Sequence, residues 1–156
     1  MTLELSPLDP DAFPAWCVRS AREYAGDLIR QGISPQVAAE SVASTMADAF
    51  PQGRPTEDNA VFDLRSGADV VGYLWVGRDQ SEDPTAWWVW DIVVEPEHRG
   101  RGYGRAAMLL AEDYARSRGA ATLGLNVFGF NAPARGLYES LGYEATSIKM
   151  RKALDS

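Results

Sequence analysis

The chain has 156 residues, 46% hydrophobic and 24% charged, with a formal net charge of −7. That length predicts one domain with a buried core, and the acidic balance argues against nucleic-acid binding, which calls for a basic face. A single cysteine, Cys17, cannot close an internal disulfide, no apolar run approaches the ~20 residues of a membrane span, and the opening residues lack a signal-peptide pattern, so a reducing cytoplasm is the expected compartment.

Apolar residues at 17, 21, 24, 25 and 28 recur at helical spacing and predict a helix from Trp16 to about Arg30, stopped by Gly32. Ser34 followed by Pro35 opens a second helix whose face is Ala38, Val42, Thr45, Met46 and Ala49, and which ends near Pro51. V-F-D-L (61–64) and V-V-G-Y-L-W-V (70–76), joined by R-S-G-A-D, predict a hairpin. W-W-V-W-D-I-V-V (87–94) is aromatic and β-branched and predicts a buried central strand closed by Pro96. An amphipathic helix follows from Gly102 or Tyr103 to Arg118, with Gly119 as its C-cap. T-L-G-L-N-V (122–127) is then a strand. Asn131 caps a short helix through Leu141, and Y-E-A-T-S-I-K-M-R (143–151) alternates as a last strand. The order α-α-β-β-β-α-β-α-β predicts an α/β (α+β) fold, a mixed sheet with helices on its faces.

Charge is unevenly spread. From Pro35 to Glu97 twelve acidic residues face three basic ones. This stretch is either a solvated surface or a rim that draws cations toward a binding site. The sign then reverses in H-R-G-R-G-Y-G-R (98–105). That loop follows the central strand and opens a helix, so its amides and the helix dipole converge where an anion would sit. Gly100, Gly102 and Gly104 permit unusual dihedrals and close ligand approach. A phosphate loop of the G-K-[S/T] type is excluded by the missing lysine. The dinucleotide fingerprint is excluded by the G-x-G-x-G spacing and by the lack of an acid at the following strand.

V-V-E-P-E-H-R-G-R-G-Y-G (93–104) resembles motif A of the GCN5-related N-acetyltransferase (GNAT) family, with Arg99, Gly102 and Gly104 at the signature positions. N-A-P-A-R-G-L-Y-E-S-L-G-Y (131–143) resembles its motif B through Asn131, Ala134, Leu137, Tyr138, Gly142 and Tyr143. The resemblance implies a mostly antiparallel GNAT-type sheet in a single domain over 1–156. Residues 70–150 would form the cofactor-binding core and residues 1–60 variable helices on the acceptor side. It implies acetyl-CoA as co-substrate; no metal is expected, because His98 is the sole histidine and has no histidine or cysteine partner. The pyrophosphate would lie on the backbone of Arg99, Gly100, Arg101, Gly102, Tyr103 and Gly104, beside Arg105. The pantetheine arm would lie along the main chain of Ile92, Val93 and Val94, with Asn131 on its other side.

Within the same resemblance Tyr138 would be the general acid toward the departing thiolate, a task suited to a phenol that keeps its proton at neutral pH. Tyr138 is otherwise a core aromatic at helical spacing with Ala134 and Leu141. For the base that frees the attacking amine, Asp91 stands out as a carboxylate inside an apolar strand, where burial raises its pKa. A buried acid that caps a loop or pairs with an arginine is the equal alternative, and Glu95 is a second candidate base. His98 reads as a loop residue and Cys17 as core. Trp75, Trp87, Trp88 and Trp90 read mostly as packing, with one or two rings available to wall an acceptor pocket.

These readings give an N-acetyltransferase that moves the acetyl group directly to a primary amine, with no covalent enzyme intermediate. The expected acceptor is a cationic small molecule, and a homodimer is expected by analogy. A non-catalytic acyl-CoA-binding module, a protein N-terminal acetyltransferase, and transfer of another acyl group or to a hydroxyl stay open.

Overall fold

The computed structural model describes residues 2–155. A five-stranded sheet runs in the order β1 (Glu4–Pro7), β2 (Asn59–Ser66), β3 (Asp69–Arg78), β4 (Ala86–Val94) and β5 (Thr122–Leu125). The first three pairings are antiparallel, and β4–β5 is parallel. Helices α1 (Phe13–Arg30) and α2 (Pro35–Ala49) precede β2, α3 (Tyr103–Ser117) joins β4 to β5, and α4 (Ala132–Ser140) follows β5. A parallel neighbour requires a crossover, and α3 supplies it. The predicted mixed, mostly antiparallel sheet with flanking helices is therefore the observed one.

Local chemistry explains most of the boundaries. Ser34 accepts from the Val37 amide and Pro35 takes the first helical position, so α2 starts where the cap motif predicts. The β2–β3 hairpin turns through Gly67 at φ 61°. The two faces of the sheet carry separate cores. Leu64, Leu74, Val76, Trp87 and Val89 pack under Ala107, Met108 and Ala111 of α3. On the opposite face Trp75 and Tyr73 pack against Phe13 and Trp16 of α1 and against Phe50. Trp16 meets Tyr73 and Trp75 edge-on with centroids 5.7 and 5.6 Å apart, a favoured aromatic geometry. The buried face of α1 is thus Phe13, Trp16 and Ser20, not the stripe of 17, 21, 24, 25 and 28.

Two elements differ from expectation. β1, a four-residue edge strand, pairs Glu4–Pro7 with Arg65–Phe62; it is too short to carry an alternation signal. The predicted last strand over 143–151 does not form. Ile148 and Met150, its apolar positions, are 72% and 87% exposed. The segment is tied instead to the end of α1, where Arg151 donates to the Gln31 carbonyl at 2.6 Å. Alternation alone makes a strand only where a sheet edge receives it.

The element that positions the site is β4. Its register with β3 slips between Trp75 and Val76, which oppose Asp91 and Val89, so Trp90 is an extra, bulged residue. Trp87 and Val89 face α3, and by strict alternation Asp91 would follow them. The bulge reverses this: Ile92 and Val94 pack toward the α3 core, while Trp90 and Asp91 both turn to the α1 face. β5 pairs with β4 only from Ala86 to Val89. Beyond that point the two strands part, and the β5-side edge of residues 90–94 pairs with no strand among the described residues.

Candidate functional site

The parting of β4 and β5 opens a cleft of about 1450 Å³. That exceeds the ~300–1,000 Å³ usual for one small ligand and leaves room for two substrates side by side. One wall is residues 90–94 of β4, and the other is the stretch 125–131 with the start of α4. α1 closes one end, where Tyr24 meets Phe128 edge-on at 6.3 Å and the Arg30 guanidinium lies 3.9 Å from the centre of the Phe130 ring. The loop 95–102 closes the other end, with Pro96 and Arg99 in the lining. Trp88 and Trp90 line the cleft, whereas Trp75 and Trp87 are buried in the two cores.

The structure brings Asp91, Ile92, Val93, Val94, Arg99, Asn131 and Tyr138 into this one cleft. Gly102 is the N-cap of α3 and offers no side-chain cap to its first turn. Gly100 and Gly102 sit at φ 79° and 82°, a left-handed conformation that strains any residue with a Cβ. Gly104 is small for a different reason: a Cβ there would lie 3.3 Å from Leu137, so it lets α3 and α4 approach closely. The arginines diverge. Arg99 donates to the Val94 carbonyl at 2.9 Å and stays at the cleft mouth, while Arg101 is exposed and forms no hydrogen bond or ion pair among the described residues. Arg105 turns away to Ser140 of α4 at 2.7 Å, and the Tyr103 side chain is buried against the α3 core with its hydroxyl on Ser66. Of the loop side chains singled out in the sequence, Arg99 lines the cleft, and Arg101, Tyr103 and Arg105 are not among its lining residues.

Asn131 caps α4 by accepting from the Ala134 amide at 3.3 Å through its oxygen, which leaves its amide nitrogen for a second partner. Tyr138 lines the cleft, and no hydrogen bond occupies its hydroxyl among the described residues. Burial, and secondarily the charge of Asp91, raise its pKa, so it holds its proton throughout the neutral range.

Asp91 accepts from the Ser20 hydroxyl at 2.7 Å and from the Tyr73 hydroxyl at 2.8 Å, both on Oδ2. Burial pushes its carboxyl up to about 6, against those two hydrogen bonds, which favour the charged form. No arginine pairs with it. Glu95 is in a different state: Arg19 grips it with two hydrogen bonds of 2.6 and 2.9 Å and lowers its pKa. A carboxylate so held is a poor proton acceptor, which separates the two candidate bases. Glu23 and Asp27, one turn apart on α1, also line the cleft near Asp91. Ser20, Tyr73, Glu23 and Asp27 were not legible as site residues, because only the packing of α1 on β3 and β4 gathers them. Cys17 is half-buried with its thiol pKa raised by burial, and His98 sits behind the loop against Tyr103.

The splayed sheet, the bulged central strand and the glycine loop at its end thus meet around one cleft. The model of the Acetyltransferase (GNAT) family matches residues 33–143, and the chain belongs to that family. It is an acyltransferase, and its relatives are N-acetyltransferases. It is 29% identical to the uncharacterized N-acetyltransferase YycN of Bacillus subtilis (strain 168), over 99% of this chain and 100% of that one. The crystal structure of that protein superposes with a TM-score of 0.88 at the same coverage. It is 51% identical to streptothricin acetyltransferase of Streptomyces lavendulae, over 59% of this chain and 48% of that protein. It is 31% identical to the N-alpha-acetyltransferase RimI of Mycobacterium tuberculosis, over 66% of this chain and 63% of that protein. An AAC(6')-Iy structure in complex with a CoA-linked bisubstrate analogue shares the fold, with a TM-score of 0.63 at 10% identity. Among the described residues no helix is long and apolar enough to cross a membrane, and no group of three or more metal-binding side chains is present.

Proposed function

We propose that this protein transfers an acetyl group from acetyl-CoA directly to the primary amine of a cationic small molecule. The observation that carries the reading is the placement of Asp91. A β-bulge turns this carboxylate into the cleft at the point where β4 loses its partner, and burial tunes it near neutral pH. The exposed edge of Ile92, Val93 and Val94 would hold the pantetheine arm in the manner of a missing strand. The backbone of residues 99–104, with Arg99 and Arg101, would take the pyrophosphate, and the amide nitrogen of Asn131 would meet the pantetheine from the opposite wall.

The acceptor enters from the α1 end, where Glu23, Asp27 and Asp91 supply negative charge and Trp88 and Trp90 supply an apolar wall. Asp91 takes a proton from the bound ammonium, directly or through one water. The neutral amine then attacks the thioester carbonyl. As the C–S bond breaks, Tyr138 donates its proton to the departing thiolate, and the surplus proton of the new amide nitrogen restores the Tyr138 phenol, directly or through one water. With a pKa of about 6 Asp91 is ionised at neutral pH yet basic enough to accept a proton. The similarity to a protein named streptothricin acetyltransferase supports this acceptor class.

Release of free thiol from acetyl-CoA, measured against streptothricin, an aminoglycoside, spermidine, tyramine and an alanine-initiated peptide, tests the reading. The expected result is turnover with one of the small amines, lost in Asp91→Asn. Turnover with the peptide alone would replace the acceptor class with a protein N-terminus, a reading favoured by the likeness to RimI. Acetyl-CoA binding without turnover on any amine would support a non-catalytic module.

A further inference from the structure

The Tyr73 hydroxyl lies 2.8 Å from Asp91 Oδ2 and 3.1 Å from Glu23 Oε2. A phenol has one proton and can donate to one carboxylate at a time. The phenol therefore bridges the two carboxylates and can turn its one proton to either of them. Ser20 adds its own donor to the same Asp91 oxygen at 2.7 Å, and Ser20 and Glu23 lie one turn apart on α1. Glu23 leads outward: its side chain is 43% exposed, and its other oxygen meets Arg19 at 3.3 Å. Tyr73 is buried, with the Arg19 guanidinium 5.2 Å from the centre of its ring. The groups gathered around Asp91 are Glu23, Tyr24 and Asp27 from α1, Tyr73 from β3 and Tyr138 from α4. Arg19 and Glu95 are paired beside them.

We propose that Asp91, Tyr73 and Glu23 are one proton-sharing unit, which carries the acceptor's amine proton from the closed cleft to solvent. The inference rests on Asp91 as the base and adds the exit. The ammonium gives its proton to Asp91, leaving a neutral amine and a neutral carboxyl. The Tyr73 hydroxyl then turns from Asp91 to Glu23. Asp91 passes its proton to the phenol oxygen while the phenol proton moves to Glu23 Oε2, and Glu23 releases it to water. Tyr73 begins and ends neutral, no heavy-atom bond changes, and Asp91 is again ionised for the next cycle. In this scheme Ser20 and Tyr73 also fix the rotamer of Asp91, so both are positioning residues.

Carbon-13 carboxyl NMR of the free protein, titrated against pH, reads the sharing without an acceptor. In the wild type the Asp91 carboxyl carbon shifts in more than one step, because its proton is shared through Tyr73, and in Tyr73→Phe and Glu23→Gln it follows a single curve. A single-step Asp91 curve in the wild type, unmoved by either substitution, overturns the proposal. Kinetics with the fastest amine of the panel read the exit. Tyr73→Phe and Glu23→Gln each lower kcat on the order of tenfold, with the KM for acetyl-CoA unchanged, which is less than the ~10²–10⁴ of the base itself. The dependence of kcat on D2O fraction, curved in the wild type, becomes linear in Tyr73→Phe. Wild-type kcat in Tyr73→Phe beside an inactive Asp91→Asn overturns the relay alone, whereas full activity in Asp91→Asn overturns the base assignment itself.

Discussion

The two ends of the cleft are built by different means. At the loop end every contributor lies within about 45 residues of sequence, from Ile92 to Tyr138. That end is shaped by backbone geometry: two left-handed glycines, a first turn of α3 without a side-chain cap and a strand edge that pairs with no strand among the described residues. At the α1 end the contributors are side chains from distant segments. Ser20 reaches Asp91 across 71 positions and Tyr73 reaches Glu23 across 50. Backbone recognition suits a ligand common to a whole family, since amides are present whatever the side chains. Side-chain recognition suits an acceptor that differs from relative to relative, since each group can change alone.

Substitutions at the two ends are expected to differ in the step they affect. Asp91→Asn has the largest effect, a fall in kcat of about 10²–10⁴-fold, with acetyl-CoA affinity measured by calorimetry unchanged. The same change alters stability in a direction that follows from the pKa. The native carboxyl, at about 6 against 3.8 when free, binds more protons than the unfolded one between those values, so its contribution worsens as pH rises through that window. Above pH 6 the full cost is about 3 kcal/mol. Asp91→Asn is therefore more stable than wild type at pH 8 by up to that amount, and the gap closes near pH 4, as denaturant midpoints will show. A group that costs stability where the enzyme works is the signature of a functional site.

Tyr138→Phe comes next, with kcat reduced about 10²-fold and both affinities kept, as stopped-flow thiol release and titration would show. Gly102→Val acts only at the loop end. Forcing a β-branched residue to φ 82° costs about 1–2 kcal/mol. Acetyl-CoA affinity falls about tenfold or more, while the Asp91 titration seen by NMR stays put. Arg19→Gln is the smallest. It frees Glu95 from a pair that is more than a third exposed on the arginine side, so unfolding stability changes by about 1 kcal/mol or less.

The same division governs how much the sequence revealed. Asn131, Ser34, Gly102 and Gly119 are local signals, because caps and turns obey neighbours within a few residues, and the structure places each where its chemistry predicts. The strand-loop-helix at 87–118 was legible for the same reason. Asp91 was legible as an odd carboxylate, yet not the face it takes. A one-residue bulge sets that face, and no residue type announces it. The contacts of Ser20, Glu23 and Tyr73 around Asp91 depend on the packing of α1 across β3 and β4, to which periodicity is blind. The segment 143–151 shows the converse, a strand-like alternation that no sheet edge receives.

The central claim is that a carboxylate turned into the cleft by the β4 bulge draws the proton from the acceptor amine. The pH dependence of kcat/KM for the acceptor, in wild type and in Asp91→Asn, tests it most directly, because this ratio reports the groups of the free enzyme. The expected result is an acid limb with a midpoint near 6 in the wild type, absent from a much slower variant. An unchanged limb in a variant of wild-type rate would contradict it.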